Sequence, residues 1–190
     1  MNRISKLIIY CCSVALLLMS CNSKSKTSTP KVVEEKNIIQ LFKEQIDTAE
    51  MRTYVDKDYN VEVSYPSFFA VCDTTENGTA RFYFPNKQKG AVALIMFVEH
   101  NVDGWNIHEA VENLSDSLNI CREEGKNYYL MTGSVDESSR IFFVEKCFLI
   151  DNKWYNYTLF YPAEFGGVMG RLRDTVKNWT PQPSTVKRKK

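Results

Sequence analysis

Residues 140–161 read RIFFVEKCFLIDNKWYNYTLFY, and this stretch predicts the centre of the fold. Two runs rich in aromatic and β-branched residues, Arg140 to Ile150 and Trp154 to Tyr161, flank the polar triplet Asp151-Asn152-Lys153. This pattern is typical of two antiparallel strands joined by a short hairpin turn. A similar run from Asn127 to Val135 comes just before them. We therefore expect a three-stranded antiparallel meander.

The last strand of this meander places its aromatic residues on two opposite faces, because side chains alternate along a strand. Tyr155, Tyr157 and Tyr161 share one face, and Trp154 and Phe160 share the other. If helices cover both faces, all of these residues belong to the core. If one face is left uncovered, the three tyrosines form a surface for a partner or an apolar ligand.

The segment after the meander predicts a helix that begins near Pro162 and ends before Pro181. Its apolar residues recur at helical spacing: Phe165, Val168, Met169, Leu172, Val176 and Trp179. Gly166, Gly167 and Gly170 lie inside it without the Lys-Ser/Thr pair of a phosphate-binding loop. We therefore expect these glycines to let the helix approach the sheet or turn sharply at its start.

A second helix is predicted from Asn106, where Asn106 and Glu109 match a capping box. Its apolar residues fall on one helical face: Ile107, Ala110, Val111, Leu114 and Leu118. The continuous apolar run from Ala91 to Val98 precedes it and predicts a central strand covered on both faces.

The N-terminal half of the body predicts shorter elements. Residues Arg81 to Phe84 form a short aromatic strand after a polar turn from Asp73 to Gly78. Val61 to Tyr65 alternate apolar and polar side chains up to Pro66, which ends that strand. Glu34 to Glu50 have a narrow helical stripe of apolar residues, so we expect this helix to pack at the edge of the domain.

These elements predict an α/β protein of the α+β type. The architecture is an α/β/α sandwich with a central, mainly antiparallel sheet flanked by helices. The 190 residues suffice for one domain, and 44% hydrophobic and 13% aromatic residues exclude a disordered chain, a collagen and a coiled coil. A net charge of +1 gives no field that favours nucleic acid, so we expect no nucleic-acid partner.

Residues 1–20 are predicted to be a lipoprotein signal peptide. Arg3 and Lys6 precede a 13-residue apolar run, Leu7 to Met19, which is shorter than the roughly 20 residues of a membrane-spanning helix. The end of the run, Leu18-Met19-Ser20-Cys21, resembles the bacterial lipobox. The resemblance implies cleavage between Ser20 and Cys21 and acylation of Cys21, which anchors the chain in a membrane. A plain secretory signal with a chance cysteine is the alternative.

Charge is distributed unevenly along the predicted segments. A flexible tether (residues 21–31) and a basic tail (182–190) flank the amphipathic helix (32–50) and the main domain (51–181). The region from 32 to 180 holds all 23 acidic residues and 15 basic ones, a net charge of −8. The tail is either simply solvated or contacts anionic lipid head groups.

The residues after Cys21 bear on which membrane holds the anchor. In enteric bacteria, lipoproteins retained at the inner membrane tend to have Asp directly after the acylated cysteine. This chain has Asn22 at that position. Surface-exported lipoproteins of Bacteroidota have an acidic cluster there, where this chain has Lys24 and Lys26. Both departures favour the periplasmic face of an outer membrane in the cell envelope.

The order of elements and the segment Tyr59 to Phe68, YNVEVSYPSF, resemble the PsbP-like superfamily. That superfamily includes the PsbP subunit of photosystem II and the DcrB-type periplasmic lipoproteins. The closing Leu159-Phe160-Tyr161 strand and the helix ending in Trp179 are also similar, so the resemblance covers about residues 52–180. It implies a non-enzymatic accessory or binding domain, and none of the family's functional residues can be carried over.

Candidate residues for chemistry are few, so we expect no enzyme, no metal and no cofactor. Glu99, His100, Asp103 and His108 match no named metal site, and no nucleophile motif accompanies either histidine. The body cysteines, Cys72, Cys121 and Cys147, allow one disulfide and a spare thiol, or three small buried side chains.

Four Asp-Ser/Thr tripeptides resemble the O-glycosylation sequon of Bacteroidota. They begin at Asp47, Asp73, Asp116 and Asp174. Three lie in predicted helices, and only Thr74 lies in a predicted turn, so Thr74 is the best-placed acceptor.

Three functions remain open at this point. The first is a lipid-anchored envelope protein whose domain is a non-enzymatic interaction module for an envelope protein partner. The second is a binding protein for a lipid or other apolar ligand on the face of Tyr155, Tyr157 and Tyr161. The third is an enzyme, for which the sequence offers no residues.

Overall fold

The computed structural model describes residues 38–74, 78–84, 92–115, 121–135 and 140–181. The predicted signal peptide, Ser20, Cys21, the tether and the basic tail lie outside the described residues. The first part of the predicted N-terminal helix and the sequon at Asp116 lie outside them as well.

The described segments form helices and strands with the following bounds. The helices are α1 (Ile38–Thr48), α2 (Ile107–Ser115) and α3 (Gly170–Asn178), with a 3-10 helix at Ala163–Val168. The strands are β1 (Met51–Asp56), β2 (Val61–Pro66), β3 (Ala70–Thr74), β4 (Thr79–Phe84), β5 (Val92–His100), β6 (Cys121–Glu124), β7 (Tyr128–Ser134), β8 (Ile141–Ile150) and β9 (Lys153–Pro162).

Seven strands form one antiparallel sheet in the order β3-β4-β5-β9-β8-β7-β6. Helices lie on both of its faces, which confirms the mixed α+β architecture with a central antiparallel sheet. The predicted meander is present and has a fourth strand, β6, at the sheet edge. The opening strand of the PsbP-like pattern, β2, pairs with β1 in a separate two-stranded sheet.

The β8–β9 hairpin has the short turn that its sequence predicts. Ile150 pairs with Lys153, so the loop consists of Asp151 and Asn152 alone. Both residues have positive φ, 48° and 58°, as a type I′ turn requires. Lys153, predicted within the turn, is the first residue of β9.

The sheet separates two hydrophobic cores. The larger core lies between one face and the layer made of α1, the β1–β2 hairpin, the 3-10 helix and α3. The smaller core lies between the other face and α2. Strand β5 contributes buried side chains to both cores, which confirms it as a central strand covered on both sides.

Helix α1 contributes two deeply buried side chains to the domain. Phe42 and Ile46 are completely or almost completely inaccessible and belong to the larger core. Only these two of its eleven residues are buried, so the helix packs on the domain through one narrow stripe, as its sequence indicates. The large ring of Phe42 fills a space that several other elements enclose.

One further sequence prediction needs correction, and two strands have no predicted counterpart. The region around Asp73 and Thr74 forms the end of β3 and was predicted as part of a turn. Strand β1 and the four-residue strand β6 were not predicted at all. Strand β6 carries Arg122, Glu123 and Glu124, and such charged edge strands lack the alternation by which strands are recognised.

The predicted last helix consists of two pieces separated at Met169. A Cβ atom on Gly167 or Gly170 would meet nothing within 4 Å, and one on Gly166 would meet only Tyr161, at 3.9 Å. These glycines therefore do not mediate close approach to the sheet. The capping box of α2 is confirmed, because Asn106 N–H donates to Glu109 Oε2 (2.8 Å) and Glu109 N–H donates to Asn106 Oδ1 (3.0 Å).

Replacement of Gly78 by alanine is expected to destabilise the β1–β2 hairpin. Gly78 has a φ of +66°, and a Cβ there would lie 2.4 Å from Tyr59 Cε2. Gly104 has a φ of +68° but open space around it. We expect Gly104→Ala to cost about 1 kcal/mol for the left-handed backbone, and Gly78→Ala about 2–3 kcal/mol because the ring must also move.

Chemical denaturation of both variants measures this difference. The Tyr59→Ala background is the control, since it removes the obstructing ring. There, Gly78→Ala is expected to cost no more than Gly104→Ala does. An equal cost of Gly78→Ala with and without the Tyr59 ring would contradict the explanation.

Candidate functional site

The three tyrosines proposed as a ligand or partner face lie in the larger core. Tyr155, Tyr157 and Tyr161 are 5%, 0% and 7% exposed. Trp154 and Phe160 lie on the opposite face, as the alternation predicts, and are buried in the smaller core. Of the two alternatives that the sequence leaves open, the structure shows the covered one.

The tyrosine face is covered by the β1–β2 hairpin and the C-terminal end of α3. Tyr157 Oη donates a hydrogen bond to Ser64 O at 2.6 Å. Trp179 Nε1 donates to Glu62 O at 2.8 Å, and its ring centroid lies 5.5 Å from that of Tyr157. The first hydrogen bond joins strand β2 to the central sheet, and the second joins β2 to the end of α3.

Burial also affects the titration of Tyr155 and Tyr157. It raises the pKa of Tyr157, so the phenol stays a neutral hydrogen-bond donor. Burial raises the pKa of Tyr155 too, with smaller contributions from Asp151 and Tyr59. Neither phenol is prepared for acid–base chemistry near neutral pH.

Tyr161 lies at the end of the face where covering is less complete. Its ring stacks on Phe142 with 6.1 Å between centroids, and the Arg173 guanidinium lies 5.6 Å from its centroid. Phe142 is 38% exposed. The correction to the predicted ligand face is therefore that its tyrosines pack against protein, because the hairpin and α3 occupy the surface that a ligand would need.

A buried carboxylate on the opposite face was missed by the sequence reasoning. Glu145 is 4% exposed. Tyr129 Oη donates to its Oε1 at 2.7 Å, and Thr158 Oγ1 donates to its Oε2 at 3.1 Å. Buried carboxylates are uncommon and need such donors. The available signal was the strand period, since Glu145 lies two residues from the buried Phe143 and Cys147.

The Glu145 network lies within one region of the sheet. Glu145 is directly opposite Thr158 on β9, and Cys147 is directly opposite Asn156. Asn156 and Thr158 are each 1% exposed. Tyr129 and Thr158 each donate to one carboxylate oxygen, so the network connects three adjacent strands, β7, β8 and β9.

Glu145→Ala is expected to lower the free energy of unfolding by about 3 kcal/mol, because it removes the acceptor of two buried hydroxyl groups. Glu145→Gln keeps an acceptor oxygen and is expected to cost less. Glu112→Ala is the matched control, since its side chain is 65% exposed and exposed substitutions change stability by about 0.5 kcal/mol or less. Urea unfolding measures all three, and equal effects of Glu145→Ala and Glu112→Ala would contradict the stabilising role.

The two histidines lie at the surface, and His108 contacts two carboxylates. His108 Nε2 lies 3.3 Å from Glu112 Oε1, and His108 Nδ1 lies 3.3 Å from Glu124 Oε2. His100 is exposed at the end of β5. Within the described ranges, no group of three or more His, Cys, Asp or Glu side chains is placed to hold a metal ion.

The cysteine and sequon residues occupy different environments. Cys147 is a buried thiol, which agrees with the small-hydrophobe interpretation, whereas Cys72 is an exposed thiol on edge strand β3. Cys121 is the first residue of β6. Thr74, the best-placed O-glycosylation candidate, is the last residue of β3. Thr48 and Thr175 lie in helices and donate to Glu44 O and Arg171 O.

These observations define a mixed α+β domain with an antiparallel sheet between helical layers and both sheet faces largely filled by side chains. No helix among the described residues combines the length and apolar character needed to cross a bilayer. No protein-family model matches the sequence, and no curated protein matches it.

The solved structures that resemble the domain include the following two. One is the solution structure of cyanobacterial PsbP (CyanoP) from Synechocystis sp. PCC 6803, with 13% identity and a TM-score of 0.48, covering 80% of this chain and 95% of that one. The other is a Pseudomonas aeruginosa protein of unknown function, PA94, described as a candidate regulator. It has 10% identity and a TM-score of 0.43, covering 71% of this chain and 99% of that one. Neither likeness carries information about activity or binding.

Proposed function

We propose that this chain is a lipid-anchored protein of a bacterial cell envelope and that its α+β domain is a non-enzymatic interaction module. The observation that carries the proposal is the lipobox-like Leu18-Met19-Ser20-Cys21 at the end of a short apolar run. Acylation of Cys21 would give two or more chains, which is enough for a stable anchor.

The length of the segment between the anchor and the domain is consistent with this arrangement. Residues 22–37 separate Cys21 from the first described residue, Ile38. Fully extended, this segment spans at most about 60 Å. The domain would therefore reach partners on the same membrane surface and would not extend far into the compartment. We assign it to the periplasmic face of an outer membrane, because Asn22, Lys24 and Lys26 depart from the inner-membrane and surface-export patterns.

An interaction module is favoured over an apolar-ligand carrier by the burial of the tyrosine face. A ligand there would have to displace Trp179 and the β1–β2 hairpin, which hydrogen-bond across it. The resemblance of Tyr59 to Phe68 to the PsbP-like opening also supports an accessory role over a catalytic one.

Fractionation of cells that express the native chain or Cys21→Ser tests the anchor. We expect the native chain in the detergent-extractable membrane fraction with an acylated N-terminus, and Cys21→Ser in the soluble fraction. Cys72→Ser is the matched control, since this exposed thiol lies far from the lipobox in sequence and should leave fractionation unchanged. The same soluble distribution for the native chain and Cys21→Ser would refute lipid anchoring.

Crosslinking in living cells then tests the module. We expect a defined envelope protein on the native chain and a reduced yield on Cys21→Ser, because the anchor concentrates the domain at the membrane. Equal crosslinking of the native chain and Cys21→Ser would show that partner binding does not depend on the anchor. Extraction of a stoichiometric lipid from the purified domain would instead favour the ligand-binding alternative.

A further inference from the structure

One part of the sheet face that carries the tyrosines is only partly covered. Helix α3 packs on β8 and β9. On the neighbouring strand β7, the side chains of Tyr128, Leu130, Thr132 and Ser134 point to this face and are half-buried. The sheet therefore continues beyond α3 as an accessible surface, and edge strand β6 is its outer boundary.

Three cationic side chains border this surface. Lys146 on β8 lies directly opposite Leu130, and its Nζ donates to Lys177 O at the end of α3. Lys177 and Arg173 are four residues apart and so lie on one flank of α3. We use the name basic strip for the cations Lys146, Arg173 and Lys177 together with Leu130 and Thr132, which lie beside them on β7.

The position of Arg173 follows from its contacts. Its guanidinium lies over the ring of Tyr161, which stacks on Phe142, and Phe142 is directly opposite Ser134 on β7. Arg171 contacts the other side, since its Nη1 donates to Ile46 O of α1. Arg173 therefore belongs to the flank of α3 that borders β7.

None of the three cations of the basic strip forms a direct ion pair with a carboxylate in the described part of the chain, although Glu123 acts on Lys146 electrostatically. Lys146 donates to the carbonyl of Lys177, and Arg173 donates to the carbonyl of Gly166. Glu123 on β6 lies directly opposite Leu130, and its carboxylate accepts a hydrogen bond from Tyr128 Oη at 2.8 Å. Partial burial lowers the pKa of Lys146, and Glu123 opposes that shift.

This local charge contrasts with the rest of the body, which has a net charge of −8 between residues 32 and 180. A half-buried ammonium that has lost water contacts gains more from an opposite charge than a fully hydrated one does. The strip therefore presents charge complementarity to an acidic ligand in an otherwise acidic molecule.

We propose that the basic strip is the docking surface for an acidic, extended segment of a partner protein. This inference rests on the proposed function, because it specifies where the interaction module binds. Carboxylates along the segment would meet Lys146, Arg173 and Lys177, while its apolar or hydroxyl side chains would contact Leu130 and Thr132.

An anionic bilayer fits this surface less well than a peptide does. Polybasic membrane sites typically gather about four to eight Lys or Arg residues, whereas the strip has three. Lys146 lies on the sheet next to α3, which stands above it on one side. An extended peptide can reach this position more easily than the flat surface of a bilayer can. The negative charge of the body also opposes approach to anionic lipid.

Binding of a fluorescent peptide of alternating Glu and Thr to the full mature chain tests the proposal. The Cys21→Ser form is used so that the chain stays in solution. We expect Lys177→Glu to weaken binding about fivefold to tenfold at low salt. Lys43→Glu is the matched control, because it makes the same charge change on an exposed position of α1. The Lys43→Glu chain keeps the basic strip and the same basic tether and tail, so we expect its peptide binding to change less than twofold.

A second variant and a crosslinking experiment test the proposal further, and two outcomes would contradict it. Lys146→Met keeps the apolar stem and should also weaken peptide binding. A photoreactive group on the peptide should crosslink to β7. Equal weakening by Lys43→Glu and Lys177→Glu would overturn the assignment, because it would show only a general charge effect. Binding to phosphatidylglycerol vesicles that depends on Lys177, without peptide binding, would overturn it in favour of a membrane.

The outcomes also separate this inference from the proposed function. If an envelope partner still crosslinks to Lys177→Glu in cells as it does to the native chain, the strip is not its docking site, and the interaction module stands. If the native chain fractionates as a soluble protein, the lipid-anchored function fails whatever the peptide does.

Discussion

Trp179→Ala is expected to lower the free energy of unfolding by about 3–5 kcal/mol, the usual range for truncating a buried aromatic residue. Trp179 is 8% exposed, and its ring lies 5.5 Å from that of Tyr157 and 5.8 Å from that of Phe148. Its Nε1 also donates to Glu62 O. The substitution therefore removes both the packing of the C-terminal end of α3 and a link to β2.

Trp179→Phe separates these two contributions. Phenylalanine retains most of the ring packing but leaves Glu62 O without its donor, so we expect a loss of about 1–2 kcal/mol. Thr180→Ala is the adjacent control, since Thr180 is exposed and should cost about 0.5 kcal/mol or less. Denaturant unfolding followed by far-UV circular dichroism measures all three. A Trp179→Ala loss no larger than that of Thr180→Ala would contradict the packing seen around the indole.

Phe42→Ala is expected to cost a similar amount, about 3–5 kcal/mol. Phe42 is completely buried. Its ring contacts four others with centroid distances between 5.0 and 6.4 Å: Phe68, Phe69, Phe84 and Phe165. The substitution would leave a cavity between α1, the loop after β2, strand β4 and the 3-10 helix.

The effect of Phe42→Ala also tests whether α1 is part of the cooperative domain. If it is, the whole domain unfolds at lower urea in one transition, and amide exchange accelerates in the central sheet. Gln45→Ala on the exposed side of α1 is the control and should leave both measurements unchanged. Faster exchange confined to α1 would show instead that the helix is a separate, dispensable unit.

The sequence by itself determined most of the helices and strands and how strand side chains divide between the two faces. The meander, the β8–β9 turn, the central strand β5 and the capping box of α2 depend on local periods and turn residues. The sides taken by Tyr155, Tyr157 and Trp154 follow from the same period. The unpredicted strand β6 shows the limit, because its charged residues carry no hydrophobic alternation.

The tertiary structure alone decided what covers each face. The alternation of side chains along β9 predicts that the three tyrosines lie on one face. Their burial depends on the β1–β2 hairpin and Trp179, through contacts between residues more than 90 positions apart, such as Tyr157 with Ser64. Likewise, Phe42 is central only because four distant phenylalanines surround it. The donors to Glu145 come from two other strands. Burial depends on long-range packing, and local patterns do not contain that information.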